Sequence, residues 1–115
     1  MLGPAGEAAA AAYLQEQGYA IVARNYRCTD GELDLVARAG ATIVFVEVKA
    51  RSGIGFGSPL EAVDARKRRR LVRAARHFLA AERMRGDCVR FDVIAVHWRD
   101  GTAGVEHVAN AFEAE

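Results

Sequence analysis

Residues 31–51 read G-E-L-D-L-V-A-R-A-G-A-T-I-V-F-V-E-V-K-A-R, two apolar runs that carry acids and a lysine inside them. Charges inside strands cost free energy when buried, so they require partners or a metal. The break between the runs falls at Ala39-Gly40-Ala41-Thr42. With Gly40 and Ala41 as a two-residue loop, Ala39 faces Thr42, and glycine occupies the first central position, as a type II′ turn prefers. Partners in an antiparallel hairpin keep a constant residue sum, so Asp34 is expected opposite Glu47 and Glu32 opposite Lys49. Alternation along each strand then puts Glu32, Asp34, Glu47 and Lys49 on one face. A slip of one residue would move Asp34 to the opposite face from Glu47.

Two carboxylates directly across a ladder have Cβ atoms roughly 4.5–5.5 Å apart and repel each other. A divalent cation removes that repulsion. Mg2+ takes oxygen ligands and sits on one or two carboxylates together with substrate phosphates. Lys49 stands at the edge of such a site as a fixed positive charge, suited to a developing phosphorane or to positioning a water. The alternative for the same residues is an ion pair of Lys49 with Glu47 or Glu32 and no chemistry.

Asp34 followed by Glu47-Val48-Lys49 resembles the D…(D/E)-x-K signature of the PD-(D/E)xK nuclease superfamily, with Leu33 where a proline usually precedes the aspartate. A longer ordered set comprises Gly6-Glu7-x-x-Ala, Arg24-Asn25-Tyr26-Arg27, Gly31-Glu32-Leu33-Asp34-Leu35, Phe45-Val46-Glu47-Val48-Lys49-Ala50-Arg51 and Arg90-Phe91-Asp92-Val93-Ile94. It resembles the YraN-like family of small bacterial proteins, related to archaeal Holliday-junction resolvases, and covers nearly the whole chain. The resemblance implies a restriction-endonuclease-like core, Mg2+ (or Mn2+) as cofactor, and DNA as substrate, branched or single-stranded. It also implies a glutamate on the first helix, which Glu7 matches, and a lysine or glutamine on the second helix that approaches the site, for which Lys67 is the candidate by position. Related resolvases are dimers, which makes a homodimer the expected assembly. The metal ligands are then expected to be Asp34, Glu47 and Glu7, with Lys49 completing the catalytic set.

Bulk properties agree with this frame without demanding it. At 115 residues, residues 1–115 are expected to form one domain. A composition 51% hydrophobic and 27% charged is ordinary for a soluble globular chain. No apolar run reaches a bilayer span and no basic segment precedes a signal-type stretch, so no membrane partner is expected. The net charge of +1 neither favours nor disfavours nucleic acid; the distribution of charge says more. Cys28 and Cys88 lack zinc-ligand spacing and read as reduced thiols of a cytoplasmic protein. His77, His97 and His107 have no spacing for a zinc site.

Along the chain, a helix is expected over residues 4–17, with Pro4 in its first turn and Gly18 as its stop. Glu7 there has two readings, a favourable charge at the helix N-terminus or a further metal or water ligand. A strand follows over 19–26 and a turn over 27–31, where Arg24 and Arg27 flank the site as solvated charges or phosphate contacts. Residues 51–59 form a glycine-rich loop beginning at Arg51, with Phe56 at its tip; it lacks the pattern of a phosphate-binding Walker loop. A second helix is expected from 59 to about 82, with Leu60, Val63, Leu71, Ala74, Ala75, Phe78 and Leu79 as its apolar stripe. Arg66, Arg69, Arg73 and Arg76 line another stripe of that helix with few acids to balance them, a patch suited to a phosphate backbone. A strand over 89–98, a turn at Asp100-Gly101, a short strand over 105–108 and a fraying tail complete the chain. Asp92 and Glu32 are read as residues supporting the ligands from behind.

The element order is α-β-β-β-α-β-β, an α/β layered fold with a mixed sheet of about five strands flanked by helices. The leading functional expectation is a metal-dependent endonuclease that hydrolyses DNA phosphodiesters. A nucleic-acid-binding module that keeps the fold but does not cut is the second, and a small adaptor with an ion-paired acid cluster is the third.

Overall fold

The structure, a computed structural model, describes residues 3–52, 63–85 and 88–114, with Arg51 and Ser52 as backbone only. Helix α1 (Gly3–Glu16) is followed by strands β1 (Ala20–Cys28), β2 (Gly31–Ala39) and β3 (Thr42–Ser52). Helix α2 (Ala65–Ala81) then leads to β4 (Val89–Arg99) and β5 (Thr102–Phe112). The expected order holds, and the five strands form one sheet in the order β1-β2-β3-β4-β5. The β3–β4 pair is parallel and the other three are antiparallel, so the sheet is mixed.

Strand β3 is apolar on both sides because both faces are covered. Val44 and Val46 pack with Ala10, Ala11 and Leu14 of α1, together with Leu35, Ala37, Ile94 and Val96. Ile43 and Phe45 pack on the other face with Leu71, Val72, Ala74, Ala75 and Phe78 of α2. The helices thus lie on opposite faces. An aromatic row ties the α2 layer together: Phe78 meets Phe45 edge-on at 6.0 Å, Phe45 stacks on Phe91 at 5.6 Å, and Phe91 on Phe112 at 4.9 Å.

The hairpin turn forms as its sequence requires. Ala39 pairs with Thr42, and Gly40 takes φ +61°. The constant sum holds through Leu35↔Val46, where the ladder ends. The expected pairs Asp34–Glu47 and Glu32–Lys49 are therefore not rungs of the ladder; instead the Val48 N–H donates to Asp34 Oδ2 at 2.8 Å. The other edge of β2 is also irregular here. Arg24 pairs with Leu35 and Tyr26 with Leu33, while Asn25 between them adopts φ +52°, a left-handed conformation asparagine tolerates better than most residues. Across this point the faces exchange: Leu33 packs on the α2 side, but Leu35 and Ala37 pack on the α1 side.

Three elements differ most in extent from the sequence expectation. Strand β1 runs on to Cys28, because Arg27 and Cys28 pair with Glu32 and Gly31, which shortens the turn to Thr29-Asp30. Helix α2 begins at Ala65: the Asp64 carboxylate accepts from the Lys67 N–H at 2.9 Å and caps it. Val63 is therefore a buried residue ahead of the cap and not part of the helical stripe, while the loop over 53–59 and Leu60 lie outside the described residues. Strand β5 is far longer than 105–108. It continues to Phe112, whose ring is buried on Phe91, so the tail up to that point does not fray.

Candidate active site: an acid pair beneath two lysines

A cleft of about 280 Å³ opens between the β2–β3 hairpin and α2, lined by Glu32, Asp34, Glu47, Lys49, Lys67 and Arg70 with Leu71 at its base. The four hairpin residues expected on one face do share this cleft. They do so although the ladder ends one pair short of Asp34, and the Val48 N–H holds the Asp34 carboxyl toward β3.

Glu47 is only 5% exposed, and both lysines neutralise the same oxygen. Lys67 Nζ lies 2.9 Å and Lys49 Nζ 3.3 Å from Glu47 Oε2. The hydrogen bond to Glu47 raises the pKa of Lys67 and keeps it charged. Among the described residues, Asp34 has no such ion-pair partner. Burial, then the charge of Glu47 and a hydrogen bond shared with it, push its carboxyl up to about 8; the Glu7 charge adds to this, and the Val48 N–H opposes it. A carboxyl raised this far favours its protonated form near neutral pH, in a pair that titrates together.

Glu7 stands on α1 just past its first turn. That helix end lies close to β3: a Cβ on Gly6 would stand 2.8 Å from the Ala50 Cβ, a contact real side chains do not make. Glycine at position 6 is thus what lets α1 bring Glu7 near enough for its charge to act on Asp34. Among the described residues, no three His, Cys, Asp or Glu side chains converge on a single metal position. The pair Asp34–Glu47 remains, and its crowding is the condition that a cation bound between two carboxylates relieves.

The other expected residues fall elsewhere. Arg27 makes a loose contact with Glu32 at 3.8 Å on the surface, and Arg24 is exposed on β1. Arg66, Arg69, Arg73 and Arg76 are exposed and none lines the cleft. The side chain of Arg51 lies outside the described residues. Asp92 is not brought to the cleft: it faces the α1 layer, where Arg90, His107 and the Asn110 N–H hold it. Sequence reading passed over Arg70. Its signal was available, since Lys67, Arg70 and Leu71 stand at i, i+3 and i+4 and so share one helix face.

The chain also has relatives. A family model described as "Uncharacterised protein family UPF0102" matches residues 6–96. A UPF0102 protein of Moorella thermoacetica is 52% identical over 113 residues, covering 96% of this chain and 93% of that protein. Another from Syntrophotalea carbinolica is 50% identical over 114 residues, covering 99% and 93%. A third, from Geobacter metallireducens, is 46% identical over 112 residues, covering 97% and 92%. Among the described residues no helix is long and apolar enough to cross a membrane.

Proposed function

The chain belongs to the UPF0102, YraN-like family, and from the geometry of its cleft we propose that it is a divalent-metal-dependent nuclease hydrolysing DNA phosphodiester bonds, with a restriction-endonuclease-like core. The observation that carries the reading is the crowded acid pair: Asp34 forced up to about 8 beside a buried Glu47, in an open cleft with three cationic side chains. Carboxylates held together against their repulsion in a cleft cluster at functional sites.

Asp34 and Glu47 would hold Mg2+ or Mn2+. Bound there, the ion supplies Lewis acidity to the phosphate and lowers the pKa of a coordinated water. Lys49, fixed on the strand, faces the negative charge that develops as an oxygen–phosphorus bond forms in line with the one that breaks. Lys67, held on α2 at 2.9 Å from Glu47 Oε2, would offer its charge to the phosphate. Glu7 orients water from the α1 side. The resolvase-like resemblance makes branched DNA the first substrate to try.

A panel of single-stranded, duplex, flapped and four-way-junction DNA with Mg2+ or Mn2+ tests this. Cleavage by the parent, lost in Asp34→Asn and Lys49→Ala, is the expected result. Cleavage that persists in both variants is contamination and removes the assignment. A second reading is favoured by one observation, that Lys49 and Lys67 already neutralise Glu47 without a cation. On that reading the protein is a catalytically silent DNA-binding module, and the panel shows DNA bound but uncut.

A further inference from the structure

Helix α2 divides two depressions. Lys67, Arg70 and Leu71 face the acid cleft, while the side chains a little further round the helix face a second groove of about 430 Å³. That groove runs between α2 and the end of β5 and is lined by Arg68, Arg69, Arg73, Arg76, Phe112 and Glu113. Arg68 is built into its wall: its Nε donates to the Val63 carbonyl at 3.0 Å and its guanidinium lies 5.5 Å over the Phe112 ring. Arg69, Arg73 and Arg76 are exposed, and none of them has an ion-pair partner among the described residues. Among those residues Glu113 is the one acid lining the groove.

We infer that this groove is a second phosphate-backbone clamp, which holds the DNA segment flanking the bond positioned in the acid cleft. The choice of DNA over other polyanions rests on the nuclease reading above. Three features support it. All four cations are arginines, whose planar forks bind phosphate oxygens two at a time. From Arg69 to Arg76 the helix rises about 10 Å at about 1.5 Å per residue, which matches about three charges of one strand, spaced about 3.4 Å apart along a duplex axis. And Lys67 and Arg70 on the same helix face the cleft, so a backbone lying across α2 meets cations on both sides of it. The expected arginine stripe is thereby split from the chemistry: Arg69, Arg73 and Arg76 position, and the cleft residues react.

The test is duplex binding by fluorescence anisotropy in EDTA across a salt series, so that no cleavage enters. Arg69→Ala with Arg73→Ala is expected to weaken binding about tenfold or more and to lower the salt slope by about two, near 0.9 for each lost phosphate contact. The double change to lysine keeps the slope. Arg99→Ala, which removes one charge from the end of β4, is the control for a non-local loss of charge. An unchanged slope in the double alanine variant, or an equal loss in Arg99→Ala, overturns the clamp. So does polyglutamate displacing the duplex as readily as unlabelled duplex does, because the groove then takes an acidic polypeptide. Cleavage of the same duplex with Mg2+ reports on the cleft separately. A duplex held by Arg69 and Arg73, with no DNA of the cleavage panel cut, supports the clamp and removes the nuclease reading; a duplex cut but bound without regard to them does the reverse.

Discussion

Asp34 and Asp92 are the same residue in the same sheet, one on each side of it, and their surroundings are opposite. Asp92 is 1% exposed, yet both its oxygens are answered: Arg90 donates Nε to Oδ1 and a terminal N–H to Oδ2, each at 2.9 Å, His107 Nε2 donates to Oδ2 at 2.6 Å, and the Asn110 N–H to Oδ1 at 2.9 Å. Burial works to raise its pKa, but the bonds from His107 and Arg90 outweigh burial and hold it below the ordinary aspartate value. The network extends outward, with the Tyr13 hydroxyl 3.0 Å from His107 Nδ1 and Arg90 donating to the Tyr19 hydroxyl at 2.6 Å. Asp34 receives one N–H and faces a second carboxylate. A buried charge that is fully answered holds a fold together; one left in conflict is available for binding or chemistry.

Removing the satisfied acid should cost most. Asp92→Ala strands the Arg90 and His107 groups that converge on it and is expected to lose about 3–5 kcal/mol in urea unfolding. A loss under about 1 kcal/mol would break the contrast, since surface ion pairs cost that little. On the other side of the sheet, Lys49→Ala is expected to lower cleavage by about 100- to 1000-fold, the effect of deleting one transition-state charge donor. Its melting temperature should stay near that of the parent, because Lys67 still pairs with Glu47. A Lys49→Ala variant that melts early and still cuts would make the lysine structural.

Smaller effects sharpen the difference through pH. The folded Asp34 carboxyl, near 8, holds its proton more tightly than the unfolded one, at 3.8. As pH rises from about 4 to about 8 the unfolded state ionises first, and the fold loses stability over that window. Asp34→Asn escapes this loss. Its melting temperature should match the parent at pH 3 and exceed it at pH 8 by on the order of 5 °C for each kcal/mol recovered. Asp92 titrates in the opposite sense: its stabilisation is present above the unfolded aspartate value and fades as pH falls through the depressed folded value. The last prediction concerns the cation itself. Since a proton must leave Asp34 before it can ligate, Mn2+ affinity in calorimetry should climb up to about tenfold per pH unit below 8 and flatten above it. A flat profile throughout would exclude Asp34 as a ligand.

Much of this was legible in the order of residues because it is short-ranged. Gly40 in its turn, the constant sum from Ala39↔Thr42 to Leu35↔Val46, and β3 as the doubly covered strand all follow from turn chemistry and alternation. So does the element order, and with it the arrival of Asp34, Glu47 and Lys49 in one place. The Asp64 cap was legible too, as an aspartate ahead of a run of good helix formers, but a longer apolar periodicity concealed it. The end of β5 was not, because Ala109-Asn110-Ala111 carries little strand signal and Phe112 acquires its role only on Phe91.

What local pattern cannot carry is the identity of distant partners. Asp92 alternates within its strand as a pocket residue would; only the packing of α1 on that face, with His107 fifteen positions away, makes it structural. Lys67 reaches Glu47 across twenty positions, and which side of α2 faces the acids depends on how Phe78, Leu71 and Ala75 seat in the sheet. Turn type, register and strand order depend on near neighbours, which the chain states outright. Charge, protonation and the division of α2 between a cleft and an arginine groove depend on desolvation and on contacts between layers, which exist only once the sheet and both helices have closed together.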